Sequence, residues 1–312
     1  MKSKEFSALG TINIITAYGI KSAQATRAAE KRVQEIEHRM SAFTKGSDIV
    51  AINKQAGVKP RKIHRDTLAV LKRGLEFSKD SKGAFDMTIR PLTALWGFGH
   101  KDNFIPEKQE IHKIMKLVDY KALILDEAAS TAYLQHSGQA IDLGGIAKGY
   151  AADEVKRILL EYEITNALIN LGGNIVTIGS KPDGSPWRIG IQNPLAERGE
   201  YVGSLETRDQ TIVTSGSNER FFIKDGIRYH HILDPRTGYP VQNQLLSVTV
   251  ICQNSMDADA LTTALFVLGP EAGLPLLQSV QAEAIILTQN QEIFLTAGLK
   301  NSFKRSGSDE KA

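Results

Sequence analysis

Residues 141–153 read IDLGGIAKGYAAD. This stretch predicts a strand ending at Asp142 and Leu143, a turn at the two glycines, and a helix from near Ile146. Glycines in such a turn let backbone N–H groups approach an anion, and the helix N-terminus adds partial positive charge. Lys148 falls in the first helical turn, where the helix dipole disfavours a cation with nothing to bind. A phosphate would be its natural partner. The spacing matches neither GxxxxGK[ST] nor GxGxxG. Taken alone, the stretch fits a plain strand-to-helix turn as well as it fits a phosphate site.

Upstream, the alternating β-branched run TINIITAY predicts a strand over 11–18. Ala25, Ala29, Val33, Ile36 and Met40 recur every three or four positions and predict a helix over 23–40. A loop passing into a short helix is expected over 40–53, and an amphipathic helix over 67–79. A loop rich in glycine and aromatics, wrapped around a short helix, is expected over 82–99. A helix follows over 106–118, then a hairpin from 123–126 and 131–134. Downstream, strands are predicted over 167–178, 187–192, 203–206 and 212–214. A second hairpin, 221–224 with 229–233, turns at Asp225-Gly226. A strand over 246–252 precedes a helix over 256–268 closed by Gly269-Pro270, and strands over 284–287 and 293–295 complete the pattern. Strands and helices mix without strict βαβ alternation, which predicts an α+β fold and not a doubly wound sheet. No repeat or linker divides the chain. Residues 1–299 are therefore expected as one domain of two lobes, and the polar residues 300–312 as a fraying tail.

Three further groups carry chemistry. Asp259 and Thr263 stand four apart on the predicted helix 256–268 and share a face. A carboxylate with a hydroxyl suits a hard cation such as Mg²⁺, which takes other ligands from water and phosphates. Aspartates near a helix N-terminus also act as caps, the role expected of Asp257. In YHHILDPRTGYP, residues 229–240, His230 and His231 adjoin on a predicted strand and face opposite sides. At most one enters a site, where a histidine can act as a general base. The alternative is a structural turn at 234–238 with one packed histidine. Phe85, Trp96 and Phe98, with Met40 and Phe43 upstream, can sandwich a planar ring or pack as core. HExxH and GxSxG are absent, which leaves zinc hydrolysis and the usual serine-hydrolase arrangement without support.

Composition narrows the classes. The 312 residues carry 38 basic and 35 acidic side chains, a net charge of +3, too weak for a nucleic-acid footprint. One cysteine, Cys252, excludes an internal disulfide and a thiolate metal cluster. No apolar run reaches the ~18 residues of a transmembrane segment. The N-terminus MKSKEFSALG lacks the apolar core of a signal peptide. The chain as given therefore suits the cytoplasm, and a chain trimmed of an export or lipoprotein segment would suit a place outside the cytoplasmic membrane.

Taken together and in order, eight segments resemble the FAD:protein FMN transferases of the ApbE family. They are MSAF at Met40, GAFDMTIRPL at Gly83, LWGFG at Leu95, IDLGGIAKGYAAD at Ile141, LINLGGNI at Leu168, VTSGSNERFF at Val213, HILDPRTGYP at His231 and DALTTALFVLG at Asp259. The likeness runs from about Gly10 to Leu299 and implies a two-lobed α+β fold with FAD between the lobes. It further implies an Mg²⁺-dependent enzyme that moves FMN from FAD onto a Ser or Thr hydroxyl of a target flavoprotein and releases AMP. By this resemblance Asp259, Thr263 and the Gly145 carbonyl would ligate Mg²⁺, and Asp142 and Lys148 would hold FAD. Met40, Phe43, Trp96, Gly97, Phe98 and Ile232 would line the flavin and adenine pockets, and His231 would be the base. Phe43 stands where family members commonly carry Tyr, so the ring is kept and the hydroxyl lost. Two other activities fit the same residues: an FAD pyrophosphatase giving FMN and AMP, and an FAD-binding protein without turnover. The retained base and cation ligands argue against the latter. No self-acceptor of the D-x-x-[ST]-[GA]-A-[TS] type is present.

Overall fold

LLSVTVIC, Leu245–Cys252, is buried at every position, so both faces of this strand must be covered. The computed structural model describes residues 1–99 and 103–306 and places that strand inside a layered α+β protein. Among these residues the strands are β1 (Lys2–Ala8), β2 (Thr11–Tyr18), β3 (Arg61–Lys62), β4 (Leu123–Asp126), β5 (Thr131–Leu134), β6 (Asn166–Leu171), β7 (Asn174–Ile178), β8 (Trp187–Gln192), β9 (Tyr201–Thr207), β10 (Thr211–Gly216), β11 (Phe221–Lys224), β12 (Ile227–His230), β13 (Leu245–Cys252), β14 (Glu283–Thr288), β15 (Ile293–Leu295) and β16 (Phe303–Arg305). The helices are α1 (Ser22–Met40), α2 (Asp48–Lys54), α3 (Arg65–Asp80), α4 (Arg90–Trp96), α5 (Lys108–Met115), α6 (Ala147–Glu161), α7 (Ser255–Leu268) and α8 (Pro270–Ser279).

Eight strands form one sheet in the order β1-β2-β6-β7-β10-β13-β14-β15, every neighbouring pair antiparallel. Helices α1, α6 and α7 cover one face. There Val33, Ile36, Val155, Leu159, Leu261 and Leu265 pack with Ile15, Ile169, Val213, Val248 and Val250. On the other face Leu205, Ile191 and Phe303 of the small sheet β16-β9-β8 meet Ile212, Ile251 and Ile285. A third cluster, Leu92, Trp96, Ile111 and Leu233, joins α4 and α5 to the chain after β12. No helix among the described residues is long and apolar enough to cross a membrane.

The structure departs from the sequence pattern at several points. β1 was not anticipated, because KSKEFSA is an edge strand that buries only Phe6 and Ala8. The strand expected to end at Asp142 and Leu143 is reduced to one parallel bridge, Ala140 to Ile89. Ile141 instead exchanges hydrogen bonds with the Asn53 side chain, at 2.7 and 3.0 Å. Stretch 167–178 is a hairpin of β6 and β7. The second hairpin ends at His230, so His231 lies just past the strand. Pro270 does more than close α7, for it opens α8 at a helical N-terminal position, where its missing N–H costs nothing. Within the expected tail, Phe303 is buried and β16 pairs with Gly203–Leu205. Residues 307–312 of that tail lie outside the described residues.

Candidate functional site

The turn 142–149 and helix α7 are tied by one carboxylate. Asp259 Oδ2 accepts the Gly149 N–H at 3.0 Å, and Asp259 Oδ1 stands 3.6 Å from Lys148 Nζ. Lys148 Nζ donates to the Gly144 carbonyl at 3.1 Å, and Asp142 Oδ1 accepts the Gly144 N–H at 2.8 Å. The approach of α6 to α7 depends on Gly149, since a Cβ there would lie 2.2 Å from the Ser255 carbonyl oxygen. Gly145 faces Thr263: a Cβ on it would stand 3.3 Å from Thr263 Oγ1 and 3.3 Å from Phe85 Cε2. Asp259 is nearly buried, and its backbone carbonyl accepts from Thr262 Oγ1, itself bonded to Ser215 Oγ at 2.8 Å. Asp257 is not the helix cap. Asn254 caps α7 by accepting the Asp257 N–H, while the Asp257 carboxylate makes a two-pronged ion pair with Arg73 at 2.8 Å.

The two histidines differ in what they touch. His230 is buried, with Nε2 bonded to the Val241 carbonyl at 2.9 Å and Nδ1 accepting the Ile232 N–H at 3.3 Å. His231 is half-buried, and its Nδ1 is enclosed without a hydrogen-bond partner. Burial first, then the Arg220 guanidinium and the Lys148 ammonium, push the His231 ring down to about 4. Both positive charges thus act on the His231 ring. The Asp234–Gly238 segment is the expected turn, with the Gly238 N–H donating to the Asp234 carbonyl at 2.8 Å.

The aromatic candidates divide. Trp96 is 1% exposed, donates from Nε1 to the Gly238 carbonyl at 2.9 Å and stacks on Phe98 at 5.5 Å between centroids. It belongs to the third core cluster and holds the Gly97–Gly99 turn in place. Gly97 caps α4 at φ 63°, a left-handed position that suits glycine. Phe98 is half-buried and continues the stack to Phe222. Phe43 is 70% exposed and lies under the Arg90 guanidinium at 4.3 Å. Met40 and Ile232 are buried in the main core, Met40 as the last residue of α1.

Among the described residues no three His, Cys, Asp or Glu side chains converge as a metal-binding group. The turn offers one carboxylate, one hydroxyl and the adjacent Gly145 backbone. Among the described residues Asp259 Oδ1 accepts no hydrogen bond, which leaves its lone pairs for a cation. These hard oxygens suit Mg²⁺ completed by water and phosphate, and they do not suit zinc. Two arginines at the site went unnoticed in the sequence. Arg90 Nη1 lies 3.7 Å from Asp142 Oδ2, and Arg220 flanks His231. Arg90 opens α4 and Arg220 precedes β11, so neither belongs to a periodic pattern and only its place inside a motif singles it out.

The protein is thus an α+β one in which a lysine, a carboxylate and a hydroxyl meet where the turn 142–149 contacts α7. The ApbE family matches residues 9–286, and the chain belongs to that family. It is 38% identical over 290 residues to an FAD:protein FMN transferase of Klebsiella pneumoniae (strain 342), covering 93% of this chain and 90% of the relative. It is 33% identical over 309 residues to that of Treponema pallidum (strain Nichols), covering 93% and 85%. Among solved structures, the ApbE protein of Thermotoga maritima MSB8 superposes with a TM-score of 0.86 at 31% identity, covering 96% of this chain and 98% of that one. The flavin transferase ApbE from Vibrio cholerae does so with a TM-score of 0.87 at 28% identity, covering 96% and 98%.

Proposed function

We propose that this protein is an FAD:protein FMN transferase that works with Mg²⁺, moves FMN from FAD onto a Ser or Thr hydroxyl of a target flavoprotein, and releases AMP. The observation that carries this reading is the meeting of the turn 142–149 with α7, where Lys148 faces Asp259 and Gly145 faces Thr263, with the Lys148 charge acting on His231. FAD would lie between that turn and the Trp96 cluster, with Asp142 and Lys148 near the diphosphate. Met40, Phe43, Gly97, Phe98 and Ile232 would line the flavin and adenine pockets, with Trp96 fixing the loop that carries Gly97 and Phe98.

The acceptor hydroxyl oxygen attacks the phosphorus on the FMN side of the diphosphate. The bond from that phosphorus to the bridging oxygen breaks, and AMP leaves with the oxygen. The hydroxyl proton would pass to the ring of His231, whose Nδ1 is enclosed without a hydrogen-bond partner. Lys148 places positive charge where negative charge builds on the phosphate oxygens, and such preorganised charge is the main lever in phosphoryl transfer. Mg²⁺, held by Asp259, Thr263 and the Gly145 carbonyl, would neutralise the diphosphate when bound.

The test is incubation with FAD, Mg²⁺ and a target flavoprotein domain. A covalently fluorescent target with matching free AMP is the expected result. AMP with only free FMN would make water the acceptor, and intact FAD would overturn both. Asp259→Ala is expected to lose at least about 100-fold in rate, as removal of a main charge-stabilising group does. An unchanged rate removes Asp259 from the site.

A further inference from the structure

Arg220 has no role in the reaction as described above, and its placement calls for one. Its carbonyl accepts the His231 N–H at 3.0 Å, which fixes the two residues opposite each other where the β11–β12 hairpin opens. Its Cδ lies 3.9 Å from the point a Cβ on Gly99 would occupy, so the side chain reaches back toward the turn that follows Trp96. The side chain is exposed, and among the described residues it has neither an ion pair nor a hydrogen bond. Lys148, on α6, adds positive charge that acts on His231. Of the carboxylates on the turn, Asp142 faces Arg90 and Asp259 faces Lys148. Among the described residues the Arg220 guanidinium is thus unpaired, and it acts on His231 together with the Lys148 ammonium, an arrangement that an anion relieves.

We propose that Arg220 is a diphosphate-binding residue of this site, meeting the substrate from the hairpin side while Lys148 meets it from α6. The identity of the diphosphate as that of FAD rests on the transferase reading. A guanidinium suits this place because its planar fork can donate two parallel hydrogen bonds to one phosphate group. Two cations on opposite sides would hold both phosphates of a dinucleotide and leave the flavin to the aromatic loop. Recognition is thereby split: Arg220 and Lys148 read the diphosphate, and the apolar residues read the ring.

The split is measurable by flavin fluorescence titration of the full chain with FAD and with riboflavin, at low and high salt. Arg220→Ala is expected to weaken FAD binding about tenfold or more, the effect of losing charge-assisted hydrogen bonds, and to leave riboflavin affinity within about twofold of wild type. Added salt should weaken FAD binding to the wild type more than to the variant. Arg220→Lys should recover part of the loss, and it gives the same comparison should the alanine variant fold poorly. Equal loss for FAD and riboflavin, or FAD affinity and salt response unchanged in both variants, would overturn the proposal. Covalent transfer by the wild type is scored separately. A wild type that binds FAD but never labels a target defeats the transferase reading, and the FAD-selective loss still decides the role of Arg220.

Discussion

His230 and His231 are adjacent, and burial is the largest influence on both; each is held down at about 4. The bonds of His230 to Val241 and Ile232 use both of its ring nitrogens, which makes it a packed residue. His231 is neutral at pH 7 and can accept a proton, but Arg220 and Lys148 weaken it as a base. A bound diphosphate offsets both cations and must raise it. With His231 as the proposed base, its protonation at low pH should stop transfer. The acid limb of kcat/KM for FAD reports the free enzyme, and that of kcat reports the complex. The limb of kcat is therefore expected at higher pH than that of kcat/KM, and coincident limbs would contradict the coupling. His231→Ala is expected to slow transfer by about 100-fold or more, with FAD affinity within about threefold. Weak FAD binding with normal turnover would remove His231 as the base. The sequence could say that only one of the pair enters a site. Which one depended on where β12 ends, and YHHI does not encode that.

The contact between α6 and α7 positions the site, and Gly149 permits it. A glycine inside a helix costs about 1 kcal/mol against alanine, so propensity alone makes Gly149→Ala stabilising. A Cβ 2.2 Å from the Ser255 oxygen and 2.6 Å from Met256 Cα overlaps backbone that cannot swing aside. Overlap of this kind costs about 1–3 kcal/mol or more, and here it also strains the Gly149 N–H bond to Asp259. Asp153, which accepts the Ser255 and Met256 N–H groups at 2.9 Å each, resists separation of the helices. The steric effect wins, so Gly149→Ala should lower the urea midpoint with an unchanged slope. A raised midpoint would mean the helices adjust freely. Elements with strong periodicity, such as α1, α3 and β2, were legible to within a residue or two. Elements that depend on partners were not: β1 and β16 are edge strands that bury few residues, and the run before Asp142 bonds to an Asn53 side chain where a strand was expected. The Asp257 cap was misplaced because Asn254 and Asp257 are equally good capping types, and only the position of Arg73 separates them.

Across the whole molecule, the main core carries the turn 142–149 and α7, and the Trp96 cluster carries the loop 97–99. The net charge of +3 gave no hint of a dinucleotide, because the charges that matter are local. Lys148 and Arg220 are far apart in sequence and act on one residue, His231, only in the folded chain. The Asp259 and Thr263 pair was legible from helical spacing, whereas their meeting with Gly145 needed the glycine-controlled contact between α6 and α7. A ligand spanning the main core and the Trp96 cluster stabilises the folded state of both. Saturating FAD at about 100 times its Kd should add about 2.7 kcal/mol, a rise of several degrees in Tm for a chain of this size. If Asp259, Thr263 and the Gly145 carbonyl hold Mg²⁺ against the diphosphate, the cation and FAD must each strengthen binding of the other. The rise with both should then exceed the sum of the rises with either alone. In Asp259→Ala the FAD increment should remain and the excess should vanish. A wild-type rise that is merely additive would place the cation away from the diphosphate, and an excess that survives Asp259→Ala would place its ligands elsewhere in the fold.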